Sequence, residues 1–561
     1  MKRNLFLVAV IALILSGFFG ANAQQMDGYT LYSIQNSTGA VLIDTNGTTY
    51  HNWTNLNGGT GYSVYLRPGG NLIRTVMNSG NSFSGGGITG RVQEVDYNGN
   101  LVWDYVYSTT QYCMHHDICP MPNGNVLLIS YELKTASEVL QAGASTSHVM
   151  WPDKIVEVQP NGLNGANIVW EWHVWDHLVQ NIDSTRDNYQ SSILDHPELL
   201  NINYQNSSNT KDWMHMNGID YNPVLDQIVF SSHNLNQLFV IDHSTTTAEA
   251  ATHAGGNSGH GGDFLYRWGN PASYGASGSQ ILNVVHDAHW IPQDCPRANE
   301  LVAFNNNGIS NNQSAVDFVI PPYDGYNYTY TAGTAYQPTS YSLRHSCNGH
   351  SSNMGSSEQL PNGNMLVAVA TSGTIYEVDS NGTTLFSKTL SGNVPQAHHY
   401  SACYISGTMP ATPNITQNGG TLTSDAGYQY QWYDNGVVIT GATNQSYNPP
   451  HDGNYEVQII DPNGCRSALS SPYIYITTGI TNDEFSKSVT LFPNPSNGMI
   501  QIGGIAPENI NLTTISDIHG KVVSESKNAS QIDLSAVANG LYMVRIQTAG
   551  HVMIKKVNIV R

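Results

Sequence analysis

The sequence predicts an all-β protein: a six-bladed β-propeller, then an immunoglobulin-like β-sandwich, then a small β-sandwich. Three observations carry that expectation. Short apolar runs alternate with Gly/Asn/Pro turns from about Tyr29 to Ser406. Two turn-centred phrases recur through that stretch. Two later stretches show strand alternation of their own.

The first phrase is Arg67-Pro68-Gly69-Gly70-Asn71-Leu72-Ile73, repeated as Met121-Pro122-Asn123-Gly124-Asn125-Val126-Leu127 and Leu360-Pro361-Asn362-Gly363-Asn364-Met365-Leu366. The second is Glu94-Val95-Asp96-Tyr97-Asn98-Gly99-Asn100-Leu101, repeated as Glu157-Val158-Gln159-Pro160-Asn161-Gly162 and Glu377-Val378-Asp379-Ser380-Asn381-Gly382. Each reads as strand, tight Asn-Gly turn, strand. Their alternation makes the repeating unit a small antiparallel meander. Weaker copies lie at Tyr221–Phe230 and Asn299–Phe304. Such repeats predict blades packed radially, six at about 60 residues each, with seven the competing count. A sandwich array is the alternative, but the repeats lack the Cys–Trp–Cys spacing of a true immunoglobulin domain.

Composition agrees with an exported, turn-rich β protein. The 561 residues carry a formal net charge of -20, only 11% are charged, and Gly (53) and Tyr (32) are abundant. No basic stripe exists to neutralise phosphates, which argues against nucleic acid. Lys2 and Arg3, the apolar run Leu5–Phe19 and Ala21-Asn22-Ala23 read as an export signal over residues 1–23, too short for an anchor. No later segment is apolar enough to span a bilayer. Export permits disulfides. Of six cysteines, Cys113, Cys119, Cys295, Cys347 and Cys403 fall in the large domain and Cys465 lies alone beyond it. One or two bridges are expected, with the pairing open.

The propeller is expected over residues 27–408. Over 411–477, Tyr428-Gln429-Tyr430-Gln431-Trp432-Tyr433 alternates like a half-buried strand, and Asp452-Gly453-Asn454-Tyr455-Glu456-Val457 is similar to a tyrosine-corner strand. Trp432 reads as core. The last unit, 482–561, opens on Leu491-Phe492-Pro493-Asn494-Pro495 and closes on Gly540-Leu541-Tyr542-Met543-Val544-Arg545-Ile546 and Lys555-Lys556-Val557. It resembles the C-terminal sorting domain of type IX secretion substrates. That resemblance implies the type IX machinery as a partner, and a secreted or outer-membrane surface location reached through the periplasm.

The chemistry is expected among the histidines. Eighteen of 21 lie between Gly28 and Gly407, a stretch with only 11 lysines and arginines. Imidazole serves as nucleophile, acid/base, metal ligand or anion donor near neutral pH. His115-His116-Asp117, His215 with Asn217, and His286 with His289 stand at repeated blade entries, so three blades are expected to present histidine to one axial pocket. His51, His148, His196, His243, His253, His260 and His345 are read as structural. His173 and His177, among Trp172 and Trp175, stay open.

Three uses of such a pocket compete: a divalent metal on His286, His289, His116 and Asp117; nucleophilic catalysis by imidazole; and binding without chemistry, as in an adhesion propeller. HxxH is a weak metal signal, and no HExxH pattern is present.

Residues from about Asn98 to Lys388 resemble the aryl-sulfate sulfotransferase family. The resemblance lies in Ile168–Leu178, His196-Pro197-Glu198-Leu199, Asp212–Asn217, Val240–Thr247, Tyr266-Arg267-Trp268-Gly269-Asn270-Pro271 and His286-Asp287-Ala288. It implies a six-bladed propeller that moves a sulfuryl group from an aryl sulfate to a phenol through sulfohistidine, with no cofactor. By resemblance His286 is the nucleophile, with His215 and His116 as catalytic neighbours and Asn217 among the sulfuryl-binding groups. The family's Ser-Ser-Arg strand is here Ser231-Ser232-His233-Asn234. Arginine is always charged and holds a sulfate-like group bidentately, whereas histidine is mostly neutral at pH 7. His233 is therefore expected to bind when protonated by the bound anion, with His289 nearby and with Arg267 or Arg344 as substitutes from other blades.

Overall fold

A computed structural model describes residues 24–206, 211–310, 312–439, 441–462, 465–476, 488–516, 522–548 and 552–561. The export signal expected over residues 1–23 lies outside them. The chain divides into two compact units. One comprises residues up to Thr416 with Thr423–Tyr447 and Tyr455–Tyr473; the other comprises Gln417–Leu422, Asn448–Asn454 and Ile474–Arg561. The stretch expected at 411–477 is thus shared between them.

The recurrent phrases fold as hairpins. Asp96 accepts the backbone N–H groups of Asn98 and Asn100 at 2.9 and 2.8 Å, and Gly99 turns the chain at φ +85°. Asp379 does the same for Asn381 and Thr383, with Gly382 at φ +84°. An Asp side chain that mimics a backbone turn, followed by the one residue that takes left-handed φ without strain, sets the register locally. The Pro-Asn-Gly-Asn phrase joins strands one and two of a blade, and the Asp-x-Asn-Gly phrase joins strands three and four.

Six four-stranded antiparallel sheets result. Their innermost strands are Thr60–Leu66, Tyr112–Pro120, Met216–Asn222, Val285–Trp290, Ser356–Gln359 and Ala397–Tyr400, each touching the next and the last touching the first. The ring closes because Ala397–Tyr400 pairs with Tyr29–Tyr32, so the end of the domain supplies the innermost strand of the first blade. Six blades are therefore confirmed over seven. Central strands are buried on both faces, which is why Gln227–Ser232 and Gln237–Asp242 are sequestered along their whole length.

Cys403 is disulfide-bonded to Cys465, so the cysteine read as isolated ties its segment back to the end of the propeller. Trp432 is fully buried, on a strand whose Tyr430 and Trp432 pair with Ile459 and Val457. In the C-terminal unit, Thr490–Phe492, Met499–Gly503 and Gln531–Asp533 form one sheet. Val522–Ser526, Leu512–Ser516, Gly540–Gln547 and Val552–Ile559 form a second. Ile500, Ile515, Val544, Ile546 and Val557 fill its core.

Candidate active site

Three innermost strands break register where the histidines sit: between Met114 and Ile118, between Met216 and Gly218, and between His286 and His289. A bulge adds a residue to one strand and re-aims its side chains. The backbone there is left-handed at non-glycine residues, with φ +47° at His116, +54° at His215 and +58° at Asp287. Such conformations cost free energy and persist where the surroundings enforce them. His115, His116, His286 and His289 thus lie within innermost strands rather than ahead of them, and His215 directly precedes one.

Four imidazoles stand in a row. Ring centroids are 4.5 Å apart for His116 and His215, 5.0 Å for His215 and His233, and 5.6 Å for His233 and His286. Burial and the neighbouring imidazoles hold His116, His233 and His286 below the usual histidine range.

Hydrogen-bond partners assign the tautomers. His286 Nδ1 donates to Asn306 Oδ1 at 2.7 Å, and Asn306 Nδ2 donates to the carbonyls of Ser351 and Met354. The amide cannot flip without losing both bonds, so the His286 proton stays on Nδ1 and the lone pair on Nε2. The Met354 N–H meets that lone pair at 3.1 Å, from a residue at φ +58°. His215 Nδ1 lies 2.6 Å from Asp212 Oδ2, and the His215 bond opposes burial to keep the Asp212 carboxyl low. Asp153 holds His115 Nε2 at 2.8 Å, and His115 Nδ1 holds His116 Nδ1 at 2.9 Å. With Asp153 ionised, that relay leaves the His116 lone pair on Nε2.

The row is closed. His116 is 4% exposed and His286 1%. Gly86 and Gly87 lie against the rings: a Cβ on Gly86 would stand 2.2 Å from His215 Cε1, and one on Gly87 2.1 Å from His116 Cε1. Tyr62 packs edge-on to His116 at 5.3 Å, and its buried hydroxyl has no partner. Burial pushes that phenol well above its ordinary range.

Other expected residues lie elsewhere. Asn217 spans between strands, donating to the Val285 carbonyl and accepting from Ser231 Oγ, so it braces the His286 strand. His289 donates Nδ1 to the Asp287 carbonyl and is not in the row. It lines a cavity of about 610 Å³ with Asp117, Asp220, Asp287, Glu358 and His398, further along the same strands. Burial lifts Asp117 to about 7, Asp220 to about 6 and Glu358 to about 8, and drops His289 to about 4. The four ligands imagined for a metal are therefore parted, and His286 already has both nitrogens engaged.

The structure corrects the expectation for Arg267. It sits on the outermost strand of its blade, fully buried over Phe239 and Tyr274. Its guanidinium donates to the carbonyls of Pro197 and Leu199, to Gln237 Oε1 and to Ser273 Oγ. Arg344 likewise lies on an outermost strand, bonded to Asp317. The terminal nitrogens of Arg267 are spent on internal groups and its Nε is buried without a partner, on the strand of its blade furthest from the innermost one that follows His215.

Sequence reading missed Tyr62, Asn306, Asp153 and Asp212. Asp212 had a signal, three residues from His215. Asn306 lies 20 residues from its partner and Asp153 lies 38 from His115, with nothing local to mark either.

A family model described as Arylsulfotransferase (ASST) matches residues 21–400, and one described as Secretion system C-terminal sorting domain matches residues 490–560. No curated protein matches the chain. Among solved structures, a protein of unknown function from Bacteroides caccae is 9% identical, covering 66% of this chain and 98% of its own at a TM-score of 0.38. The periplasmic gluconolactonase of Pseudomonas aeruginosa is 12% identical, with 66% and 98% covered at 0.32. The β-propeller domain of Cps50 (Swd1) from Myceliophteria thermophila is 9% identical, with 65% and 88% covered at 0.32.

Proposed function

The chain belongs to the arylsulfotransferase family, and from that premise we propose that it carries a sulfuryl group from an aryl sulfate to a phenol through sulfohistidine at His286. Membership supports aryl sulfotransferase activity in general. The sorting domain marks the chain for export to the cell surface or the medium, and among the described residues no helix is long and apolar enough to cross a membrane.

The observation that carries the residue assignment is the hydrogen bonding of His286. Asn306 fixes the proton on Nδ1, so Nε2 is the only nucleophilic nitrogen. In the first half-reaction Nε2 attacks sulfur, the N–S bond forms and the S–O bond to the aryl group breaks. The aryl oxide leaves with a proton from His215, whose ring Asp212 orients through Nδ1. In the second, the acceptor phenol returns its proton to His215 and its oxygen takes the group from His286. Attack displaces the Met354 N–H from Nε2, and that amide and the unpartnered Tyr62 hydroxyl then become donors for sulfuryl oxygens. A side chain at Gly86 or Gly87 would collide with the rings of His215 and His116. His116 and His233 hold the anion once its charge draws protons from solvent onto them.

A propeller that binds without chemistry is the second reading, favoured by the amide that occupies the Nε2 lone pair. Mass spectrometry after mixing with 4-nitrophenyl sulfate decides between them. Sulfated His286 in wild type and none in His286→Ala is expected. No covalent adduct and no release of 4-nitrophenol would favour the binding propeller.

A further inference from the structure

A second cluster of histidines lies away from the row of four, in a segment the sulfuryl chemistry does not use. His177 is fully buried and stacks parallel to Trp172, at 5.7 Å and 5°. Its Nε2 lies 2.8 Å from the Ala250 carbonyl, so the Nε2 proton is committed there. Its Nδ1 then faces Asp263 Oδ1 at 2.8 Å. The His253 Nδ1 meets the same oxygen at 2.7 Å. These three atoms lie within 4.8 Å of one another.

With its Nε2–H given to the Ala250 carbonyl, His177 turns Nδ1 toward the same carboxylate oxygen that the His253 Nδ1 meets, a convergence that a bridging cation suits. The surroundings favour the cation. A metal-bound imidazole ordinarily donates its other N–H to a carbonyl or carboxylate, which fixes the ring and raises its basicity. The Ala250 carbonyl is so placed. Gly262 is pressed between that carbonyl and the His177 ring: a Cβ there would stand 2.1 Å from the Ala250 oxygen and 2.6 Å from Nε2. The Gly262 carbonyl accepts the Trp172 indole N–H at 2.7 Å. The ring, the carbonyl and the indole thus lock His177 with Nδ1 outward, while His253 reaches in from solvent with its side chain 62% exposed.

We propose that His177 Nδ1, His253 Nδ1 and Asp263 form a binding site for a first-row divalent cation, zinc by ligand type, with a fourth position open to water. Two imidazoles and a carboxylate with one open position suit Zn²⁺. The ligands move apart from hydrogen-bond contact to about 3.3 Å, the edge of a tetrahedron with bonds near 2.05 Å. The site joins the segment ending in His177 to the glycine-rich loop before the Tyr266–Trp268 strand, and its role is to fasten that loop. It is independent of the His286 assignment.

The test is metal content and unfolding of the full-length protein, stripped with a chelator and dialysed against zinc. One zinc per chain and a raised Tm are expected, both lost in His253→Ala and in Asp263→Asn and both kept in His215→Ala. Cobalt in place of zinc is expected to show the intense visible bands of a four-coordinate ion, absent in His253→Ala. Because His253 is exposed, that variant folds without the ion. Zinc retained equally by wild type and His253→Ala, zinc lost only in His215→Ala, or no bound zinc at all would overturn the proposal.

Discussion

Replacing Asp117 by asparagine should stabilise the propeller at alkaline pH, and the gain should vanish in acid. Asp117 follows His116 on the innermost strand and is 2% exposed. Burial raises its carboxyl from 3.8 to about 7, although the Tyr65 hydroxyl, the Ile118 N–H and Gln396 Nε2 all donate to it. The unfolded chain gives up this proton near pH 4, whereas the folded protein keeps it to about 7. Stability is therefore present in full below pH 4, falls as pH rises across that interval, and stays lost above it. At ~1.4 kcal/mol per tenfold change in acidity the loss totals roughly 4 kcal/mol. The asparagine of the Asp117→Asn variant has no proton to lose. Its oxygen would keep the Tyr65 and Ile118 bonds, and its amide would donate to Gln396 Oε1, which has no partner in the wild type, after one amide flip. For a domain of this size 4 kcal/mol corresponds to a Tm gain of roughly 5 °C at pH 8, against about 2 °C at pH 5. Thermal unfolding followed by tryptophan fluorescence at both pH values measures it. An Asp117→Asn protein less stable than wild type at pH 8, or a gap that does not change with pH, would refute the reasoning.

Asn306→Ala should lower transfer roughly 100-fold, the scale of losing one preorganised partner, with KM for the aryl sulfate little changed; steady-state kinetics with 4-nitrophenyl sulfate separate the two. Sulfate should bind more tightly as pH falls from 8 to 5.5, because His116, His233 and His286 are held neutral in the free protein and the anion must bring protons with it; calorimetry in two buffers of different ionisation heat counts them, and pH-independent binding would contradict it. Arg267→Met should destabilise the propeller by about 3 kcal/mol or more, since two carbonyls and Gln237 lose a buried donor, while KM measured on the folded fraction stays at its wild-type value.

Much of this architecture was legible in the chain because its causes are local. The Asp-x-Asn-Gly and Pro-Asn-Gly-Asn turns need only their own side chains and a glycine, so hairpins and blade repeats could be read from spacing. The approach of His116, His215 and His286 to one axis could be expected from their repeated blade positions, whereas His233, on the same blade as His215, was marked only by the family resemblance and His289 falls outside the row. His243 shows why the isolated histidines read as structural: Asp226 and Glu157 enclose it and lift it to about 9.

What only the tertiary structure decided are pairings between residues distant in sequence. The strand that closes the ring lies 365 or more residues from its partner strand, and the Cys403–Cys465 bridge spans 62. The tautomer of His286 depends on Asn306, that of His116 on Asp153 through His115, and both follow bulges no repeat announces. Arg267 looked available as a cation because a sequence does not show which carbonyls surround a guanidinium. His253 was read as structural and His177 left open because the oxygen they share belongs to Asp263, on the loop whose Gly262 carbonyl accepts the Trp172 indole N–H. Composition and turn chemistry determine that this chain is a β-propeller rich in imidazole; the direction of each lone pair is decided by partners that only the closed ring assembles.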